Sequence, residues 1–132
     1  MATISFDLVS PEQLLFNDEV GMIIVPGKDG DIGVLPRHSK VLSSLRSGRV
    51  MVYGENKNLL KSFFVAGGFV EINPEKCIVL AEGVNEMSDL DKSSIQQQIQ
   101  ELESGASDSA KEELAIAQSK IAALDSTYYE KL

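Results

Sequence analysis

The sequence has one cysteine, one histidine and no apolar run long enough to cross a bilayer, and each shortage removes a class of protein. Cys77 alone cannot close an internal disulfide, which fits a reducing compartment. His38 alone cannot build a multi-histidine metal site, and the acidic pairs lack the spacing of a calcium-binding loop. Without a Gly-x-Ser-x-Gly signature or a nearby cysteine, a single histidine also rarely marks a catalytic triad. The best apolar run, Val20 to Pro26, is strand-sized against the ~20 residues that a spanning helix needs. Basic residues are scarce: 12 Lys and Arg face 20 Asp and Glu, for a net charge of −8. Nonspecific binding of nucleic acid or anionic lipid rests on neutralising phosphate, so that balance argues against both and leaves protein partners open. The opening residues, Met1 to Asp7, carry neither a basic n-region nor an apolar h-region, and they lack the arginines of a mitochondrial presequence. A soluble cytoplasmic protein is the expectation.

What remains is globular. The chain has 132 residues, 43% of them apolar and 24% charged, which suits one domain or one domain with a small appendage. Residues 1–86 read as strands. Ile4, Phe6 and Leu8 alternate with Ser5 and Asp7, the period of a half-buried strand. Val20 to Val25 is β-branched and apolar, and Pro26-Gly27 ends it. Val50 to Tyr53 and Leu59 to Ala66 flank a turn at Gly54 to Asn58. Phe69 to Ile72 and Cys77 to Ala81 flank Asn73-Pro74-Glu75-Lys76, which reads as a hairpin loop. Short strands at this spacing point to an antiparallel sandwich or barrel.

The period changes near Ser88. Residues 87–132 contain no proline and a single glycine, Gly105. Ile95, Ile99 and Leu102 share one helical face, with Ser88 or Asp89 as the expected cap and Gly105 at the C′ end. After Ser107 and Asp108, further capping candidates, a second helix carries the seam Ala110, Leu114, Ala117, Ile121, Leu124 and Tyr128 at steps of three or four. Alanine at two of those positions permits close approach of a partner helix. The expected tail is an antiparallel helical hairpin. Two narrow seams bury little area by themselves, so such a hairpin needs cover from elsewhere and can move if that cover changes.

Few residues invite chemistry. Gly27-Lys28-Asp29-Gly30-Asp31-Ile32-Gly33 resembles a phosphate loop only in its glycines. Such a loop needs Gly-Lys-Ser/Thr opening a helix, whereas Val34-Leu35-Pro36 follows here and two aspartates would repel phosphate, so a tight turn between strands is expected. The pairs Asp29/Asp31 and Asp89/Asp91 do not meet the needs of acid–base catalysis, which requires carboxylates set across a substrate with one pKa raised. The second pair suits a helix N-terminus. Cys77 opens an apolar strand and reads as a small core residue. Gly67-Gly68 marks either a turn or a close backbone approach. On its residues, the chain is a binding or structural module.

Gly30-Asp31-Ile32-Gly33-Val34-Leu35-Pro36-Arg37-His38 resembles the Gly-x-hydrophobic-Gly-hydrophobic-x-Pro-x-His signature of the epsilon subunits of bacterial F-type ATP synthases, called delta in mitochondria. Val9-Ser10-Pro11-Glu12 with Leu15-Phe16, Val25-Pro26-Gly27, Leu45-Arg46-Ser47-Gly48, Ala66 to Ile72 and Val79 to Glu82 follow the same family in order. The resemblance implies a flattened antiparallel β-sandwich over 1–86 and a two-helix antiparallel hairpin over 87–132. It implies a non-catalytic central-stalk rotor subunit of a proton-translocating synthase, at the cytoplasmic face of the bacterial inner membrane and not inserted in it. The implied partners are the gamma subunit, the membrane c-ring, and the alpha/beta catalytic hexamer when the hairpin extends. By matched position, the interface residues would be Asp29, Gly30, Asp31, Ile32, Gly33, Leu35 and Pro36 towards the ring, with His38 near gamma. The hairpin seam would be Leu114, Ala117, Ile121, Leu124 and Tyr128. The competing reading is a free-standing adaptor of the same architecture with an unrelated protein partner.

Two departures from the family bear on regulation. Members that bind ATP at the hairpin carry hydrophobic-Asp-x-x-Arg-Ala, and this chain reads Leu90-Asp91-Lys92-Ser93-Ser94-Ile95. Serine in place of arginine removes a charge-assisted phosphate contact of about 1.5–3 kcal/mol, so no cofactor is expected. Inhibitory members carry several basic residues on the last helix. Here Lys111, Lys120 and Lys131 stand among Asp108, Glu112, Glu113, Asp125 and Glu130. The expectation is a weak brake on ATP hydrolysis: deleting residues 87–132 from the assembled enzyme should change the hydrolysis rate less than about twofold, and a several-fold activation would contradict it.

Overall fold

In a computed structural model, which describes residues 3–105 and 107–125, the chain divides into two compact units, Met1–Glu86 and Met87–Leu132. Among the described residues the first contains ten strands: β1 (Ile4–Val9), β2 (Leu14–Val20), β3 (Met22–Gly27), β4 (Gly30–Val34), β5 (Val41–Leu45), β6 (Gly48–Tyr53), β7 (Leu59–Val65), β8 (Gly68–Ile72), β9 (Lys76–Ala81) and β10 (Val84–Glu86). The apolar run from Val20 to Val25 is not one strand, because the chain bends at Gly21 and divides it between β2 and β3. The alternation in β1 points Ile4, Phe6 and Leu8 inward, all fully buried, while Ser5 and Asp7 face outward.

The strands run in the hydrogen-bonded order β10-β7-β6-β3-β5-β8-β9-β1-β2, with β4 paired to β3. All pairs are antiparallel except β1 beside β9, where Phe6 stands opposite Cys77. Parallel neighbours need a long connection, and here nearly the whole unit supplies it. The fold into two layers occurs along β3. Its Met22, Ile23 and Ile24 pair with Tyr53, Val52 and Met51 of β6, and its last residue, Gly27, pairs with Leu45 of β5. At the far end β2 returns to β7 through aromatic rings: Phe16 lies 5.9 Å from Phe63 and 5.8 Å from Phe6, measured between centroids. Inward residues of both layers, among them Phe6, Ile23, Val50, Val65, Val70 and Val79, form one core. This is a β-sandwich.

Among its described residues the second unit has a 3-10 turn (Met87–Asp89) and two helices, α1 (Lys92–Glu103) and α2 (Asp108–Asp125). The cap of α1 is Asp91, not Ser88 or Asp89. Those two are taken up by the 3-10 turn, closed by the Leu90 N–H on the Met87 carbonyl at 3.2 Å. The Asp91 carboxylate accepts the Ser93 N–H at 3.1 Å, satisfying a donor that the helix leaves open. Gly105 follows the C-cap Ser104, and Ser107 Oγ accepts the Ala110 N–H at 3.1 Å to open α2. Lys92 Nζ meets Asp125 Oδ1 at 2.6 Å, joining the start of α1 to the end of α2 in an antiparallel hairpin. Ile95 and Ala117 are buried, and Ile99, Leu102, Ala110, Leu114, Ile121 and Leu124 are half-buried. Ala123 is buried as well, beside the expected seam; Tyr128 lies outside the described residues.

The core predicts where substitution is costly. Phe6→Ala removes a fully buried ring and should lower stability by about 3–5 kcal/mol. Leu42→Ala, at an exposed outward position, should stay within about 0.5 kcal/mol. Urea unfolding of both variants checks the contrast.

Candidate functional site

The segment Gly27–Gly33 is a β-hairpin. β3 and β4 pair from Ile23/Val34 to Gly27/Gly30, leaving Lys28 and Asp29 as a two-residue turn. This is a strand-to-strand turn, so it lacks the helix N-terminus that a phosphate loop uses. Arg46, just past β5, clamps the hairpin. Its N–H donates to the Pro26 carbonyl at 3.0 Å, Nη1 donates to the Gly27 carbonyl at 2.6 Å, and Nη2 pairs with Asp31 Oδ1 at 2.5 Å. Lys28 N–H adds a bond to the Ser44 carbonyl at 2.9 Å. Asp31 is therefore engaged in holding the turn.

The residues singled out from the sequence fall on two sides of β4. Asp29, Gly30, Asp31 and Gly33 are exposed, and Leu35 is 56% exposed just beyond the strand. Ile32 differs: it is half-buried and packs against the core. Pro36 and His38 are half-buried in the next turn, where Arg37 takes a positive φ of 68° and donates its N–H to the Pro74 carbonyl at 2.9 Å. His38 Nδ1 donates to the Ser39 carbonyl at 2.7 Å.

A surface missed in the sequence lies on the outer side of the β5-β8-β9 layer. Leu42 is 76% exposed, Phe69 53% and Leu80 51%. The register makes them neighbours: Phe69 stands opposite Leu80, and Leu42 stands opposite Glu71, two residues along β8 from Phe69. Val9 stands beside Leu80 on β1, and with Pro11 it borders a shallow recess of about 220 Å³ floored by Phe69 and Leu80. Large apolar side chains out of phase with the buried ones (Leu42 against Leu45, Phe69 against Val70, Leu80 against Val79) were the available signal. Gly68 is required beneath this surface. Its φ is 131°, and a Cβ there would come within 2.1 Å of the Leu80 carbonyl oxygen.

Titratable groups here are structural. Burial tends to raise the Asp7 pKa, but hydrogen bonds from Asn17 and Lys76 and the Lys76 charge outweigh it and hold the carboxyl below its ordinary value. Burial and the nearby Asp7 charge push the Cys77 thiol up to about 12. Among the described residues, no group of three or more His, Cys, Asp or Glu side chains is placed to hold a metal ion. No helix of the described residues is long and apolar enough to cross a membrane. On α1, Ser94 Oγ donates to Asp91 Oδ2 at 2.8 Å, so the serine is tied to the cap.

The family model described as the ATP synthase delta/epsilon chain β-sandwich domain matches residues 3–86. The ATP synthase epsilon chain of Rhodospirillum rubrum is 39% identical over 126 residues, which cover 92% of this chain and 93% of that one. The epsilon chain of Rhodospirillum centenum is 42% identical over 103 residues, 75% of this chain and 70% of that one. Among solved structures, a chain of the Euglena gracilis mitochondrial ATP synthase OSCP/F1/c-ring assembly shares the fold with a TM-score of 0.79 at 18% identity, covering 95% of this chain and 81% of that one. A chain of the Tetrahymena thermophila mitochondrial ATP synthase central stalk and c-ring does so with a TM-score of 0.60 at 14% identity, covering 92% of each.

The thiol chemistry gives a direct check. Cys77 is buried with a pKa far above neutrality, and the thiolate is the reactive form. Ellman's reagent at pH 8 should find no reactive thiol in the folded chain and one in denaturant.

Proposed function

The chain belongs to the ATP synthase delta/epsilon family, and we propose that it works as a non-catalytic rotor subunit, joining the membrane c-ring to the catalytic hexamer through gamma. The observation that carries this reading is the outer apolar surface at Leu42, Phe69 and Leu80 on a fully packed sandwich. Contiguous exposed apolar area marks a protein contact, and nothing about these side chains offers chemistry. A rotor part must also pass on torque without deforming. Close-packed interiors compress little and transmit strain, and here Phe6, Ile23, Val52 and Val79 are fully buried in one core.

In this reading gamma covers the β5-β8-β9 surface, with His38 at its border. The exposed side of the β3–β4 hairpin, Asp29 to Pro36, meets the c-ring, and the protein is thereby held at the cytoplasmic face of the bacterial inner membrane. The hairpin of α1 and α2 has the regulatory role, reaching the alpha/beta hexamer when extended, with Leu114, Ala117, Ile121 and Leu124 as the seam that must be covered in either state. ATP plays no part in that switch. The Ser94 hydroxyl is engaged with Asp91, and the position carries no guanidinium for a phosphate.

Gamma binding tests the assignment. Half-exposed Leu and Phe side chains each hold roughly 1 kcal/mol of burial still to be gained. The double variant Leu42→Ser/Phe69→Ser should therefore bind purified gamma at least about tenfold more weakly by calorimetry, with an unchanged Tm. The wild-type titration should be the same with and without millimolar ATP. Equal gamma affinity in the double variant would contradict the proposed surface.

A further inference from the structure

The strand register arranges the outer side of β5, β8, β9 and β1 in rows. One row runs Ser44, Phe69, Leu80, Val9, and the next runs Leu42, Glu71, Ile78, Asp7. Ser44 apart, the first row is apolar. The second holds two carboxylates, and they are treated differently. Asp7 is satisfied within the sheet: Asn17 donates to it and Lys76 Nζ lies 3.0 Å away. Glu71 stands exposed between Leu42 and Ile78, two residues along β8 from Phe69. Its carboxylate takes part in no hydrogen bond or ion pair among the described residues.

The fold has no use for this charge. The neighbours that build the core are Val70 and Ile72, and glutamate is a poor strand former at an outward position. In water a solitary carboxylate is stable. Beneath a partner it is costly, because a charge taken out of water without a counter-charge loses its hydration and gains nothing in return. Charged residues are depleted at the centres of protein interfaces for that reason. Leu42 and Phe69 flank Glu71, so a partner that covers both side chains also covers the carboxylate between them.

We infer that the segment of gamma covering this surface carries an arginine or lysine at the centre of an otherwise apolar contact, and that Glu71 is the residue that selects it. That gamma is the partner rests on the reading above; the demand for a cation rests on the register and on the unpaired carboxylate. Arginine suits the place better, since its guanidinium is weakly hydrated and can meet both carboxylate oxygens at once. A second copy of the chain packed by the same face would bring another Glu71 instead, so the charge also disfavours self-association through this surface.

The test compares gamma binding by calorimetry for wild type, Glu71→Gln, Glu71→Leu and Glu75→Gln. Glu75→Gln makes the same change of net charge in the exposed turn at the end of β8 and β9. Both Glu71 variants should bind gamma about tenfold more weakly or worse, because the cation is left covered and unpaired. Glu75→Gln should bind within about twofold of wild type, and all four proteins should share one Tm. If Glu71→Leu binds as tightly as wild type or tighter, no cation meets the carboxylate and the inference is overturned. A lowered Tm in Glu71→Gln would overturn it too, since the charge would then serve the fold. Equal weakening by Glu75→Gln would reduce the effect to net charge and overturn the role of Glu71. The Leu42→Ser/Phe69→Ser variant separates this inference from the reading beneath it. Gamma affinity unchanged there removes the docking surface itself, whereas weak binding there with tight binding by Glu71→Leu removes only the cation.

Discussion

The two layers of the sandwich depend on one strand that serves both. β3 pairs with β6 over Met22 to Ile24 and hands over to β5 at Gly27, so few ladder bonds hold the corner. Arg46 adds to them with its own N–H on the Pro26 carbonyl and its guanidinium on the Gly27 carbonyl. The same guanidinium takes Asp31, so the corner and the β3–β4 hairpin are fixed by one side chain. A hairpin projecting from a sheet corner would otherwise be free to rock. Tied in this way it becomes an extension of the rigid body.

The period of two then assigns each strand two jobs. In β5, β8 and β9 the inward residues Leu45, Val70, Ile72 and Val79 build the core, and the outward residues Leu42, Phe69 and Leu80 build an apolar surface. The one cysteine is buried, and what the outer layer presents is apolar area that suits a partner. Because the docking surface and the core share the same strands, a load applied to the surface passes into close-packed side chains across a single backbone layer.

Much of this was legible in the chain. Alternation in Ile4 to Leu8 marked β1, Asn73 marked the turn between β8 and β9, and the spacing of Ile95, Ile99 and Leu102 marked α1. These signals are local, so they survive without tertiary context. The turn is a clear case: the Asn73 side chain accepts the Glu75 and Lys76 N–H groups at 2.9 and 2.8 Å. What could not be read locally depended on pairing. Parallel alignment of β1 with β9 links residues some seventy positions apart, and Phe69 and Leu80 become a patch only when β8 lies against β9. The cap of α1 shifted to Asp91 because the preceding residues found a 3-10 turn of their own. That Ile32 packs against the core follows from the hairpin register and from no local pattern.

The central claim is that the outer face of β5-β8-β9 is a docking surface and not merely an exposed one. Hydroxyl-radical footprinting of the protein alone and in complex with gamma tests it most directly, because it reads side chains one at a time. Leu59 and Leu60 on β7 are similarly exposed and serve as the internal reference. The account predicts strong protection of Leu42, Phe69 and Leu80 in the complex, with Leu59 and Leu60 oxidised as before. Protection of the β7 leucines with Phe69 still fully reactive would contradict it.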